Sequence, residues 1–181
     1  MKAFAKGMLG VLMAACFVAS AAFSLDNPRG TSILHLRGKT VSVEYGRPSL
    51  RGRTVDALLG KLPPGGIWRL GDDTSTTFKT EIDLVFGDVT IPAGEYSIWM
   101  QRQADNSWKL LFDKQHGQWG EPAPNAPEWF ASVPLFISGP HDGIPPEMVT
   151  ITLNPTMVRD RGGFVTIQWG KLEAKAFFAP K

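Results

Sequence analysis

Thr76-Thr77-Phe78-Lys79-Thr80-Glu81-Ile82-Asp83-Leu84-Val85-Phe86 decides the fold class. Phe78, Ile82, Leu84 and Phe86 share one side of an extended chain, while Thr77, Lys79, Glu81 and Asp83 share the other. This period of two marks a strand with one face on a core and one in water, because a helix would scatter the polar residues around its axis. The stretch reads as one long strand.

The same alternation recurs on both sides. Val41, Val43 and Tyr45 alternate with Ser42 and Glu44, and an earlier strand is expected over Ser32 to Leu36. Val89 to Gly94 reads as a turn signal. Beyond it, Tyr96, Ile98 and Met100 alternate with Ser97, Trp99 and Gln101, and Trp108, Leu110 and Phe112 resume the pattern after Ala104-Asp105-Asn106-Ser107. Two such runs across a short Asp/Asn loop predict a hairpin. Val149 to Leu153 and Phe164 to Trp169 flank a turn at Arg161-Gly162-Gly163, and Leu172 to Phe178 supplies a last strand. Only Val55, Leu58, Leu59 and Leu62 fall at helical spacing, behind a Thr54 cap and before Pro63-Pro64-Gly65-Gly66. A one-sided sheet must bury its apolar face against another layer, so the class is all-β with one short helix. An antiparallel sandwich or open barrel is expected, and jelly-roll-like and immunoglobulin-like topologies fit equally. The stretch 121–146 holds seven prolines and reads as a surface excursion. Its Trp129, Phe130, Leu135 and Phe136 imply either a flap folded onto the sheet or a surface for a protein partner.

The N-terminus is of another kind. Lys2 and Lys6 precede an apolar run, Met8 to Phe17, that fades into small residues, the pattern of a secretory signal peptide over 1–22 with cleavage after Ala22. The tract is too short and too diluted by Gly and Ser to span a bilayer, so no transmembrane span is expected after processing. Residues 23–181 then form a single domain, expected in the periplasm or secreted. A minor alternative is a lipid anchor through Cys16, which follows Met13-Ala14-Ala15. Cys16 is the sole cysteine, so the exported domain is disulfide-free. Loss of Lys2 and Lys6 leaves 17 basic against 17 acidic side chains. A balanced domain supplies no long-range field for nucleic acid or an anionic membrane, and no nucleic-acid partner is expected.

Tyr45 to Arg53, Ile67-Trp68-Arg69-Leu70-Gly71 with Thr76-Thr77, Ile91 to Trp99, Trp108 to Phe112, and Gln118-Trp119-Gly120 together resemble the bacterial family called domain of unknown function 2911. The likeness holds in order and spacing from about residue 31 to 120, and more loosely from Val149 to Phe178. It implies an exported, β-sandwich-like protein and brings no activity with it. The family commonly reads Gly-Ala-Asn-Glu-Ala-Thr-Thr where this chain has Gly71-Asp72-Asp73-Thr74-Ser75-Thr76-Thr77, so its glutamate is replaced and only Asp72 or Asp73 is near enough to substitute.

Arg47, Arg51, Arg53 and Arg69 fall in loops or strand ends close to Asp72 and Asp73. Guanidinium forks pair bidentately with carboxylates and phosphates, so the group either lines a pocket for an anion or sugar acid or pairs internally to pin a loop. Trp68, Trp99, Trp119 and Trp129 either stack on sugar rings or fill a core. Arg47, Arg51, Arg53, Arg69, Asp72, Asp73, Trp99 and Trp119 are the candidate ligand-binding residues. No Gly-x-Ser-x-Gly elbow occurs, and Ser138, His141 and Asp142 are neighbours by sequence alone. His35, His116 and His141 are too dispersed for a metal site, and no metal or cofactor is expected. The chain therefore reads as a non-catalytic binding module for a small anionic or carbohydrate ligand. A hydrolase using a carboxylate pair such as Glu95 and Asp113 is the first alternative, and a structural or partner-binding domain is the second.

Overall fold

Alternating sequence becomes strand almost throughout: β1 (Arg29–Leu36), β2 (Lys39–Gly46), β3 (Ile67–Trp68), β4 (Thr77–Thr80), β5 (Leu84–Phe86), β6 (Val89–Ile91), β7 (Gly94–Arg102), β8 (Trp108–Asp113), β9 (Ala131–Ser138), β10 (Thr150–Pro155), β11 (Gly163–Trp169) and β12 (Leu172–Pro180). One helix, α1 (Val55–Leu59), interrupts them. This computed structural model describes residues 28–120, 129–138 and 143–181, so the signal-peptide and Cys16 expectations lie outside the described residues.

The strands form one antiparallel sheet in the order β1-β2-β4-β7-β8-β9-β12-β11-β10, with β3 added on β7 and the β5–β6 hairpin on the end of β12. The sheet curls until β10 lies beside β1, where the Leu153 N–H donates to the Ser32 hydroxyl at 2.9 Å. It is a sheet nearly closed into a barrel, its seam joined by that side-chain bond and, beyond the end of β2, by a backbone bridge between Ser49 and Met148. The inward set is the one read by alternation: Val41, Val43, Phe78, Ile98, Met100, Phe112, Ile151, Val165 and Ile167 are wholly buried. Phe112 sits edge-on to Phe78, Phe86 and Tyr96, with ring centroids 5.7, 5.5 and 6.1 Å away. Each such ring contributes about 1.5–3 kcal/mol by leaving water.

Three expectations need correction. Thr76 to Phe86 is two strands, because Thr80 turns the chain: its hydroxyl donates to Ile82 O at 2.6 Å and accepts from the Ile82 N–H at 3.2 Å. Such local bonding competes with the ladder. β4 stays between β2 and β7, whereas β5 leaves to pair with β6 and β12. The stretch Val89 to Gly94 is a turn only after Ile91, since Val89–Ile91 is β6. The third concerns 121–146: residues 121–128 and 139–142 lie outside the described residues, but 131–138 is β9, which links β8 to β12. Pro134 has no N–H to give, and pairing with β12 begins only at Phe136. The helix keeps its Thr54 cap, with the Ala57 N–H donating to Thr54 Oγ1 at 3.2 Å, but stops at Leu59 before Gly60.

Phe112→Ala is expected to cost about 3–5 kcal/mol in urea unfolding, whereas Phe136→Ala, whose ring is 70 % exposed, is expected to cost under about 0.5 kcal/mol. Comparable losses would contradict the inward assignment.

Candidate functional site

The candidate residues gather at one end of the barrel because β2 ends at Gly46 and β3 starts nearby at Ile67, with α1 between them. Gly46 is required there: a Cβ on it would collide with the Asp72 carbonyl oxygen of the loop crossing above. That loop, 69–76, is bent by positive φ at Leu70 (58°) and Asp73 (60°), and Arg51 in the facing turn has φ 51°. A bulky, buried residue such as Leu70 pays for that conformation, and strain of this kind gathers at functional loops. Thr76 holds the bend, its hydroxyl donating to Leu70 O at 3.2 Å.

The eight candidates do not form one group. Arg53, Arg69 and Asp72 come together on one cleft of about 270 Å³, floored by Trp68 and Trp169. Arg69 Nη2 donates to Asp72 Oδ1 at 2.6 Å, each side chain about a quarter exposed, so internal pairing holds for this arginine. Arg53 is different: its Nε donates to Leu50 O at 2.9 Å, and its two terminal nitrogens have no partner among the described residues. Arg47 belongs to the barrel seam, with its guanidinium on Val149 O at 3.2 Å and Thr150 Oγ1 at 3.5 Å. Arg51 is anchored through its backbone, whose N–H donates to Glu147 Oε1 at 2.7 Å, and its side chain is exposed. Asp73 and Trp119 lie where the 114–120 loop docks on the 69–76 loop: Gly120 N–H donates to Asp73 O at 2.8 Å, and Thr74 bridges to Trp119.

Trp119 is 63 % exposed, while Trp99 is wholly buried and offers no face to a ligand. Trp99 does point outward from the sheet, as read, but Trp129 lies over it with centroids 6.1 Å apart, and its Nε1 donates to Ser97 Oγ at 3.0 Å. Trp129 Nε1 is itself buried without a hydrogen-bond partner, the one such side-chain atom among the described residues, and nothing in the fold explains it.

Trp169 was missed by sequence reasoning. Its ring stacks on Trp68 at 5.4 Å and 11°, and its Nε1 donates to Glu147 O at 3.2 Å, so Trp68 presents a rigid face. A larger cleft, about 470 Å³, opens on the other flank of α1 over Leu59, Trp108 and Leu172. Its arginine, Arg102, is engaged, donating to Gly60 O, Leu62 O and Asn106 Oδ1, while Asp56 and Lys171 also line it. Volume favours the larger cleft, while the stacked Trp68–Trp169 pair beside Arg53 favours the smaller. Chemistry decides, since a few convergent polar groups define a ligand site.

The paired carboxylates do not converge on a cleft. Glu95 is bound by Lys79 Nζ at 2.5 Å, a hydrogen bond that pulls its carboxyl below the usual range and makes it a poor proton donor. Asp113 is buried and accepts from the Gln115 N–H at 3.0 Å. Neither lines the clefts described. Among the described residues, no three His, Cys, Asp or Glu side chains converge as metal ligands, and no helix is long and apolar enough to cross a membrane. His141 and Asp142 lie outside the described residues.

Among the described residues the most perturbed carboxylate is Glu173, which the sequence did not single out. Register puts it between Ser138 on β9 and Gln168 on β11. Lys175 Nζ, the Ser138 hydroxyl and Gln168 Nε2 all donate to it, at 2.6, 2.7 and 2.7 Å. Those bonds, Lys175 foremost, hold its pKa down to about 2. A folded value below the unfolded 4.5 means that the stabilisation is full above that pH and is lost as pH falls toward about 2. In urea unfolding, Glu173→Gln is expected to cost on the order of 2 kcal/mol near neutral pH. The gap from wild type should close through the same acid window, and a gap that does not change with pH would contradict this assignment.

Residues 27–178 match the model of the family described as "Protein of unknown function (DUF2911)", and the chain belongs to it. No curated protein and no solved structure matches the chain.

Proposed function

We propose that this member of the DUF2911 family is an exported, non-catalytic binding module whose site is the smaller cleft beside α1. The ligand class is a small anionic carbohydrate, such as a sugar acid. The observation that carries this reading is the pairing of a rigid indole face with an unspent guanidinium: Trp68 backed by Trp169, and Arg53 with its terminal nitrogens free at the same cleft. Stacking on indole suits the apolar face of a sugar ring, and the fork of Arg53 suits a carboxylate. Arg69 serves as a positioned neighbour through Asp72, so the loop is shaped before ligand arrives. A pre-formed cleft lowers the ordering cost of binding. Export is part of the proposal and rests on the N-terminal pattern.

Titration with glucuronate, galacturonate and glucose, followed by tryptophan fluorescence, tests it. The acids are expected to bind at low millimolar Kd or tighter and glucose at least about tenfold more weakly. Arg53→Ala and Trp68→Ala should each weaken acid binding by about tenfold. Absence of a saturable change at about 10 mM acid, or full affinity in a folded Arg53→Ala protein, would contradict the proposal.

A further inference from the structure

The end of the barrel opposite α1 is built from two hairpin turns that touch. Arg37 and Gly38 join β1 to β2, residues 156–162 join β10 to β11, and the Arg37 N–H donates to Asp160 Oδ1 at 2.9 Å. The second turn is held in shape from within. Thr156 N–H donates to Gly162 O at 3.0 Å, the Thr156 hydroxyl to Val158 O at 2.8 Å, and the Arg161 N–H to Val158 O at 3.3 Å. Yet its tip carries Met157, fully exposed, and Val158, 60 % exposed. Nothing in the turn's own bonding needs apolar side chains in water at those positions.

Around this tip stand four exposed basic residues, Arg37, Lys39, Arg159 and Arg161, against one carboxylate within the two turns, Asp160. Asp160 is already engaged by the Arg37 N–H and lies 3.6 Å from Arg159 Nε. Glu81 and Asp83, between β4 and β5, accept from the Thr40 N–H at 2.7 Å and the Ala93 N–H at 2.9 Å and keep their charge, and Arg37 Nη1 donates to Lys181 O at 3.2 Å. The two turns and the first residue of β2 thus carry four cations to one carboxylate around an apolar wedge.

The geometry points to this end as a docking surface for an anionic lipid bilayer. Met157 and Val158 enter the headgroup layer, and the surrounding basic side chains lie over the anionic headgroups. Charge complementarity and the narrow shape select this partner: a bilayer is anionic above and apolar beneath, as the tip requires. A protein interface needs about 800 Å² a side, more than a two-residue wedge supplies. The clefts beside α1 lie at the far end of the strands, so docking leaves them open to solution.

Sedimentation with vesicles tests this, using the chain from residue 23 onward so that the apolar run at 8–17 does not itself partition. Its core, Leu34 to Phe178, is retained. Wild type is expected to pellet with vesicles containing about one-third phosphatidylglycerol, to be released as salt rises from about 20 to 200 mM, and to stay in solution with phosphatidylcholine alone. The double variant Met157→Asp/Val158→Asp should lower partitioning at least about tenfold. Arg159→Gln/Arg161→Gln should lower it at least about fivefold and flatten the salt dependence. These side chains are exposed, and circular dichroism verifies that each variant is folded. Equal pelleting with both vesicle types, no pelleting with either, or unchanged pelleting of the variants overturns the inference. So does a wild-type dimer in sedimentation velocity that Met157→Asp/Val158→Asp dissolves, which would assign the tip to a second copy.

Discussion

A sheet with one apolar face has to bury it, and this chain does so by rolling the sheet around its own phenylalanines. Phe78, Phe86, Phe112 and Phe178 come from four different strands, and their neighbouring centroids lie 5.4 to 6.4 Å apart. With no cysteine after residue 16, closure rests on this packing and on a few hydrogen bonds across the seam. β9 is the strand that makes it work, since β8 and β12 meet only through it. Glu173 ties that junction from outside by gathering donors from β9, β11 and its own strand.

Closure also fixes where chemistry is exposed. Side chains within the barrel are committed to the core, so variation is left to the two ends. At one end, α1 lies as a ridge between two clefts, and the strained 69–76 loop leans on Gly46 to bring Arg69 beside Trp68. At the other, short turns carry the exposed Met157 and the surrounding basic side chains. The rigid barrel lets both ends be shaped independently.

Much of this was legible in sequence because a period of two survives local accidents. The break at Thr80 went unseen for that reason: a tight turn kept Phe78, Leu84 and Phe86 on the inward side while redirecting the strand to new partners. β9 was hidden by Pro134 and by exposed Phe136 and Ile137, which blur its alternation. The arginines show the sharper limit. Arg69 and Asp72 are three residues apart, and their pairing was within reach of spacing alone. Arg47 finds Val149 only because the barrel closes, a contact across more than a hundred residues that no local pattern encodes. Trp99 was placed correctly on its strand's outer side, but its cover, Trp129, comes from a distant segment. Trp169 meets Trp68 by the same long-range closure.

The six tryptophans occupy separable environments, and only the stacked pair borders the smaller cleft. Amide and indole resonances of the labelled protein, assigned by single Trp→Phe variants and followed as a uronate is added, test this most directly. The Trp68 and Trp169 indole signals and the Arg53 side-chain signal are expected to shift together and saturate, while those of Trp99 and Trp129 stay in place. Saturable shifts confined to Trp108, or spread evenly over all six indoles, would contradict it.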